Sequence, residues 1–225
     1  MNAPIVDTPK KYIFAQHLSS KFDLPELGRR TAGGFQKQYA GTAIEKRIQD
    51  GSLVDRSHET YVNAYWTSRF LILRFVSCFD KLSTLEPAIT EGKRVGLWER
   101  DVVEAFIHPV ADWYKHEYVE FQVAPTGEKM DLKLDLPLRD FLWNSKFKTA
   151  SFVDNDAKIW TADMYIPFAA FKVYGFGTPS KYDEWRINFF RNIASENIFI
   201  SWIPTMCETA HVPRFYGYIQ FMKER

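Results

Sequence analysis

Five side chains stand out by type and spacing: Trp98, Glu104, Gln122, Asn188 and His211. Glu104 poses the sharpest question. It sits in "GLWERDVVEAFIHP" among Val102, Val103, Ala105, Phe106 and Ile107, a run that reads as a buried strand. An unpaired carboxylate there is costly unless a partner or water meets it. Three roles fit such a group. It can accept hydrogen bonds from a ligand. It can form an ion pair within a sheet, with Arg74, Arg186 or Arg191 as partner. Or it can be half of an acid–base pair, with Glu120 or Asp101 as the other half. Asp101 lies three residues from Glu104, so on a strand the two point to opposite faces, whereas Glu120 shares the face of Gln122.

Trp98 precedes this strand and offers a flat aromatic surface. Trp160 and Trp185 sit inside strong strand patterns and are assigned to the core; Trp202 is ambiguous, and Trp113 beside Tyr114 is a candidate exposed platform. In "WRINFFRN" alternation puts Arg186, Asn188 and Phe190 on one face and Arg191 on the other. Asn188 and Arg191 can each reach a ligand or satisfy backbone groups. Metal and cofactor signatures are weak. His108, Asp112 and His116 are spaced by four, which has force only on a helix, and the context is a loop between strands. Asp154 and Asp156 are the pair that a structural calcium ion would use, and a solvated turn explains them equally well. Met130, Met164, Met206 and His211 could supply haem ligands, but nothing in the sequence draws two of them together. Phosphate-binding loops, dinucleotide fingerprints and nucleophile elbows are absent.

The elements that must position these groups are short strands. Tyr61 to Trp66 and Phe70 to Phe79 form a hairpin around Thr67-Ser68-Arg69. Strands follow at Asp101 to His108, Tyr118 to Ala124, Lys129 to Leu136, Phe147 to Val153, Ile159 to Ile166, Trp185 to Arg191, Ile198 to Ile203 and Gly217 to Phe221. Val103, Ala105 and Ile107 should face a core, leaving Glu104 and Gln122 on an outer or concave face where neither buries a bare charge. "TAIEKRIQD", Thr42 to Asp50, predicts about two helical turns, and Phe168 to Val173 about one. Asp80 to Gly96 is a long connection, the kind that is functional or mobile. This series predicts an all-β chain, an antiparallel sandwich with short helical segments in its connections. Residues 1–60 are expected to wrap irregularly around the domain formed by residues 61–225.

The chain of 225 residues, 46% hydrophobic and 16% aromatic, can fill one large core. A net charge of +1 argues against a nucleic-acid surface as the main function. Cys78 and Cys207 are too few for a disulfide scaffold, and whether they pair is open. No apolar run is long enough to span a membrane, and no secretory signal opens the chain. As written it is expected to be cytoplasmic, or extracellular or periplasmic if a leader has been removed.

Five segments come in a recognisable order: "LWERDVVEAFIHP", "YKHEYVEFQVAPTGEKMDLKLD", "IWTADMYIPFAAF", "EWRINFFRN" and "ISWIPTMCETAHVPRFYGYIQF". Together they resemble the family 9 carbohydrate-binding modules and their stand-alone bacterial relatives, over roughly Tyr61 to Phe221. The resemblance implies a jelly-roll-like β-sandwich that binds a mono- or oligosaccharide without transforming it. It implies that Trp98 is one of two tryptophans clamping a pyranose, that Glu104 accepts hydrogen bonds from hydroxyls, and that Gln122 is the neighbouring strand's polar contact. Asn188 and His211 are second-rank contributors. The chain departs from the pattern where the second tryptophan should lie, at Ala210 and His211, and has Ala124 where the family has an asparagine. A structural or protein-interaction sandwich with a degenerate sugar site is therefore the main alternative. A haem-binding redox domain and a glycan-active enzyme built on Glu104 and Glu120 are more distant ones. A structural calcium ion apart, no cofactor and no membrane contact is expected, and the protein partner is left open.

Overall fold

The computed structural model describes residues 10–19, 41–109 and 117–223. In chain order the strands are β1 (Tyr12–His17), β2 (Thr42–Ile44), β3 (Lys46–Arg47), β4 (Thr60–Trp66), β5 (Phe70–Cys78), β6 (Val102–His108), β7 (Glu117–Val123), β8 (Lys129–Asp135), β9 (Leu138–Asp140), β10 (Lys148–Asp154), β11 (Ile159–Pro167), β12 (Glu184–Ile193), β13 (Ile198–Ser201) and β14 (Gly217–Phe221). They form an all-β sandwich. One sheet runs β9-β8-β7-β6-β12-β14, with β13 and β3 continuing from β12; the other runs β10-β11-β5-β4, with β2 on β4. β1 ties them together. Its Tyr12 to Ala15 pair with β14, and its Gln16 and His17 pair with β4.

Alternation along the strands fills the space between the sheets. Val103, Ala105 and Ile107 of β6, Val119 and Phe121 of β7, and Ile187 and Phe189 of β12 meet Leu73, Phe75, Trp160 and Met164 of the other sheet. Phe75 and Phe189 touch edge-to-face across the gap at 5.8 Å. Trp160, Trp185 and Trp202 all lie in this core. The inward set of β6 is thus the small aliphatic one that alternation predicts.

Three expectations need correction. The sheets are antiparallel except at β1, which runs parallel to both its neighbours. Thr42 to Asp50 is not helical. β2 and β3 take its place, because the edge of β4 offers backbone partners from Thr60 to Val62, while a nine-residue helix has too few internal hydrogen bonds to compete. Gly41 fits this arrangement: a Cβ there would lie 2.7 Å from the Val62 carbonyl oxygen. And within the segment expected to be irregular, Tyr12–His17 is the strand that joins the two sheets. The expected 1–60 wrap otherwise falls largely outside the described residues, as do Trp113, Asp112 and His116. Cys78 and Cys207 are unpaired.

The second sheet carries its own buried charge. Arg74 of β5 donates from Nε and an η nitrogen to Asp163 of β11, both at 2.7 Å, with the carboxylate fully buried. Arg74 is thereby committed and cannot neutralise Glu104. Removing one partner of such a pair strands the other charge. Arg74→Met is expected to lower unfolding stability by about 3 kcal/mol in urea titrations; a loss below about 1 kcal/mol would show that the pair contributes little.

Candidate functional site

The outer face of the first sheet is not open. Val102, Phe106, Tyr118, Met130, Leu132 and Phe190 project from it and are covered by Ile48, Leu97, Ala210 and Tyr216 from the connections. The two long connections are held down by specific bonds. In the 80–101 connection, Lys93 reaches the Asp131 carboxylate at 2.8 Å and also bonds the carbonyls of Phe141 and Trp143. Ile89 N–H donates to Glu128 at 2.9 Å, and Asp101 accepts from Ser83 N–H at 2.7 Å. In the 203–216 connection, Arg186 bonds the carbonyls of Pro213, Arg214 and Tyr216.

Between sheet and cover lies a cavity of about 390 Å³. That is at the small end of the range usual for small-molecule sites, about 300–1,000 Å³. Four of the five side chains singled out in the sequence line it: Trp98, Glu104, Gln122 and His211. Register explains the meeting of the two polar groups. Glu104 of β6 pairs directly with Gln122 of β7, and Glu120 lies two residues along on the same face.

Trp98 stands at the rim. Gly96 adopts the left-handed conformation, φ +91°, that turns the chain into the 3-10 turn Leu97–Glu99. Leu97 is fully buried beneath the turn, and the indole is left 40% exposed. Asn192 of β12 fixes the turn from below, its Nδ2 donating to the carbonyls of Trp98 at 2.8 Å and Arg100 at 3.1 Å. Phe141 lies beside the indole, ring centroids 6.3 Å apart and planes inclined by 45°. The two rings make a corner rather than two parallel plates.

The floor is polar and buried. Gln122 Nε2 donates to Glu104 Oε1 at 3.0 Å and also to Glu120 Oε1. No ion pair neutralises either carboxylate among the described residues; Arg139, at the cavity wall, is the nearby cation. Burial, and then the charge of Glu120, raises Glu104 well above the ordinary carboxylate range. Burial pushes Glu120 up to about 7, against the opposing pull of the Gln122 hydrogen bond and Arg139. The expectation that Glu104 escapes burial on an outer face is thus corrected, because the connections cover that face. Nor do its expected ion-pair partners reach it. Arg186 is spent on carbonyls, and Arg191 lies on the inner face bonding the His58 carbonyl and the Thr60 hydroxyl.

His211 occupies the wall opposite. Its ring stacks on Phe106 at 5.3 Å, and Nδ1 shares a 2.6 Å hydrogen bond with the Tyr118 hydroxyl. Burial, then Arg139, lowers it to about 4, so it is neutral at neutral pH. Asn188 is elsewhere. Its amide donates to the Ile203 carbonyl and accepts from Ile203 N–H, pinning the start of the 203–216 connection. Asn188 is a positioning residue for that cover and lies outside the cavity.

Arg139, Phe141, Asn192 and Glu208 also line the cavity without having been singled out in the sequence. The Pro137 break after β8 signals a hairpin that would have brought Arg139 and Phe141 back to the sheet. Nothing local marks Glu208. Glu104 and Glu120 share one floor with the Gln122 amide between them. Met164 lies between the sheets, Met130 beneath the cover, and Met206 is exposed. Asp154 accepts from the N–H groups of Asp156 and Ala157, capping its own turn. His58, Asp80 and Glu196 bring one donor atom each within 4.8 Å, but His58 Nε2 and Glu196 are already hydrogen-bonded at 2.7 Å.

No family model matches the chain. An extracellular protein of Arthroderma benhamiae is 26% identical over 184 residues, covering 73% of this chain and 79% of that one. A family 9 carbohydrate-binding module from Caldicellulosiruptor kristjanssonii, solved with cellotriose, superposes with a TM-score of 0.65 at 15% identity, covering 96% of this chain and 95% of that one. The same organism's module solved with glucose gives a TM-score of 0.62 at 16% identity, covering 96% and 97%. The fold is therefore that of the family 9 carbohydrate-binding modules, as the five ordered segments led us to expect.

The raised carboxylates have a consequence for stability. A glutamate whose folded pKa lies above its unfolded value favours folding most at low pH, and that advantage is lost as pH rises from the ordinary value towards the folded one. For Glu120 the window runs from 4.5 to about 7. Glu120→Gln should therefore gain stability relative to wild type across this window, measured by denaturant unfolding at intervals of pH. A difference that stays flat from pH 4 to 8 would contradict the buried-carboxylate description.

Proposed function

We propose that the chain binds a carbohydrate in this cavity and does not transform it. One observation carries the reading: a half-exposed indole stands at the rim of a cavity whose recessed floor is built of hydrogen-bonding groups. A pyranose presents the matching surfaces, an apolar face of C–H groups and a rim of hydroxyls. Trp98 stacks on the face, with Phe141 closing the corner beside it. Glu104 and Gln122 read hydroxyls: a protonated carboxyl group both donates and accepts, and the Gln122 carbonyl oxygen accepts. Neutral His211 stands where the second clamping ring is expected, and can hydrogen-bond a hydroxyl from the wall.

The modules of the same fold that were solved with glucose and cellotriose support this reading. So does the placement of Trp98, since Asn192 and Leu97 hold its backbone while the indole stays outside the packed layer. A tryptophan needed only for packing would be turned inward, as Trp160 is. With one indole in place of two parallel ones, binding should be weaker and more open at one side.

Calorimetric titration with glucose and cellotriose tests the proposal. Wild type should bind at least one of them, and Trp98→Ala should bind about tenfold more weakly, the value of a lost stacking contact of about 1.4 kcal/mol. Absence of binding to a broad glycan panel, or equal binding by Trp98→Ala, would overturn it.

A further inference from the structure

The cavity's charge is lopsided. Among the described residues, Glu104, Glu120 and Glu208 line it, against Arg139 alone. Glu208 is met by a Gln49 amide at 3.3 Å, and the two floor carboxylates by the Gln122 amide, so neutral donors do the satisfying. That satisfaction is incomplete. Gln122 Nε2 has two hydrogens and both are used. Among the described residues, Glu120 Oε2 and the Gln122 carbonyl oxygen are left buried with no hydrogen-bond partner. Both atoms accept hydrogen bonds, so with its carboxylates ionised this floor lacks donors.

A neutral hydroxyl supplies one donor and no charge. An ammonium supplies three donors and the missing cation, and beside buried carboxylates it is worth most because little water screens it. Resting on the sugar-binding reading above, we propose that the preferred ligand is an amino sugar, whose protonated amine sits over the Glu104–Gln122–Glu120 floor while Trp98 stacks on its ring. The groups facing that floor fit. Tyr118 from β7 and Tyr216 from the 203–216 connection are held protonated, with burial the leading cause. His211 is neutral for the same reason. Arg139, on β9, is the one cation in the lining among the described residues, and Glu208 stands on the covering connection.

The amine also accounts for the floor's protons. Empty, the floor keeps part of its charge neutralised by bound protons, because two adjacent buried carboxylates cannot both ionise freely. An arriving ammonium favours the ionised forms, so its binding should expel protons where a neutral sugar's does not.

Calorimetry on the full chain with two matched probes decides the matter: cellotriose and the β-1,4-linked trimer of glucosamine, at about pH 6, where an amine of this kind carries its proton. Each titration is run in two buffers of different ionisation enthalpy. The amino trimer should bind at least tenfold tighter than cellotriose and release protons, while cellotriose releases none. In Glu120→Gln the ratio of the two affinities should fall towards one. Equal affinities, tighter binding of cellotriose, or amino-trimer binding without proton release would overturn the inference and leave sugar binding standing. Failure of both probes would overturn this inference, and sugar binding falls with it only if the broad glycan panel is also unbound.

Discussion

One amide stands between two buried carboxylates, and much of this protein's outer layer is arranged around that fact. Gln122 bonds Glu104 and Glu120 at once. Strand register makes the contact unavoidable, since Glu104 and Gln122 are direct partners and Glu120 follows on the same face. Two carboxylates in so little water repel each other and lose hydration, and a single amide cannot restore what is lost. The floor is tolerated because it is protonated in part and because it borders a cavity rather than packed side chains. A site of this kind stores a demand for donors that a ligand can meet.

The rest of the layer keeps that demand in place. Lys93, Glu128 and Asp101 anchor one covering connection to the sheet, and Arg186 and Asn188 anchor the other. Buried polar groups in this chain therefore divide into two kinds. Arg74, Arg186, Arg191 and Asn188 bond other parts of the protein and shape it, although Arg186 Nε and Arg191 Nε and Nη2 have no partner among the described residues. Among the described residues, Glu104, Glu120 and Gln122 hydrogen-bond only one another. Trp98 shows the same division among the aromatics, held by its backbone while its ring stays at the rim.

The sequence made the strands legible because their alternation is driven by burial, the strongest pattern a chain carries. Val103, Ala105 and Ile107 pointed inward as their sizes required, and Glu104 was assigned to the opposite face correctly. What alternation could not convey is that this outer face is itself covered. The cover comes from loops whose contacts, such as Lys93 to Asp131 and Asn188 to Ile203, span long stretches of chain and leave no periodic trace. The helix expected at Thr42 to Asp50 failed for a related reason, since the edge of β4 that captures β2 is supplied from elsewhere. Sequence leaves Asn188 open between ligand and backbone because a buried asparagine looks alike in both roles, and the structure gives it to the loop. Arg139 and Phe141 were missed because β9 is only three residues long.

The central claim is that a sugar ring sits in this cavity, against Trp98 and above the carboxylate floor. A crystal structure of the protein soaked with cellotriose or its amino counterpart tests it most directly. The account predicts density for a pyranose ring stacked on Trp98, with a polar substituent within hydrogen-bonding distance of Glu104 or Glu120. A ring bound at another surface, or one in the cavity that leaves both carboxylates untouched, would contradict it.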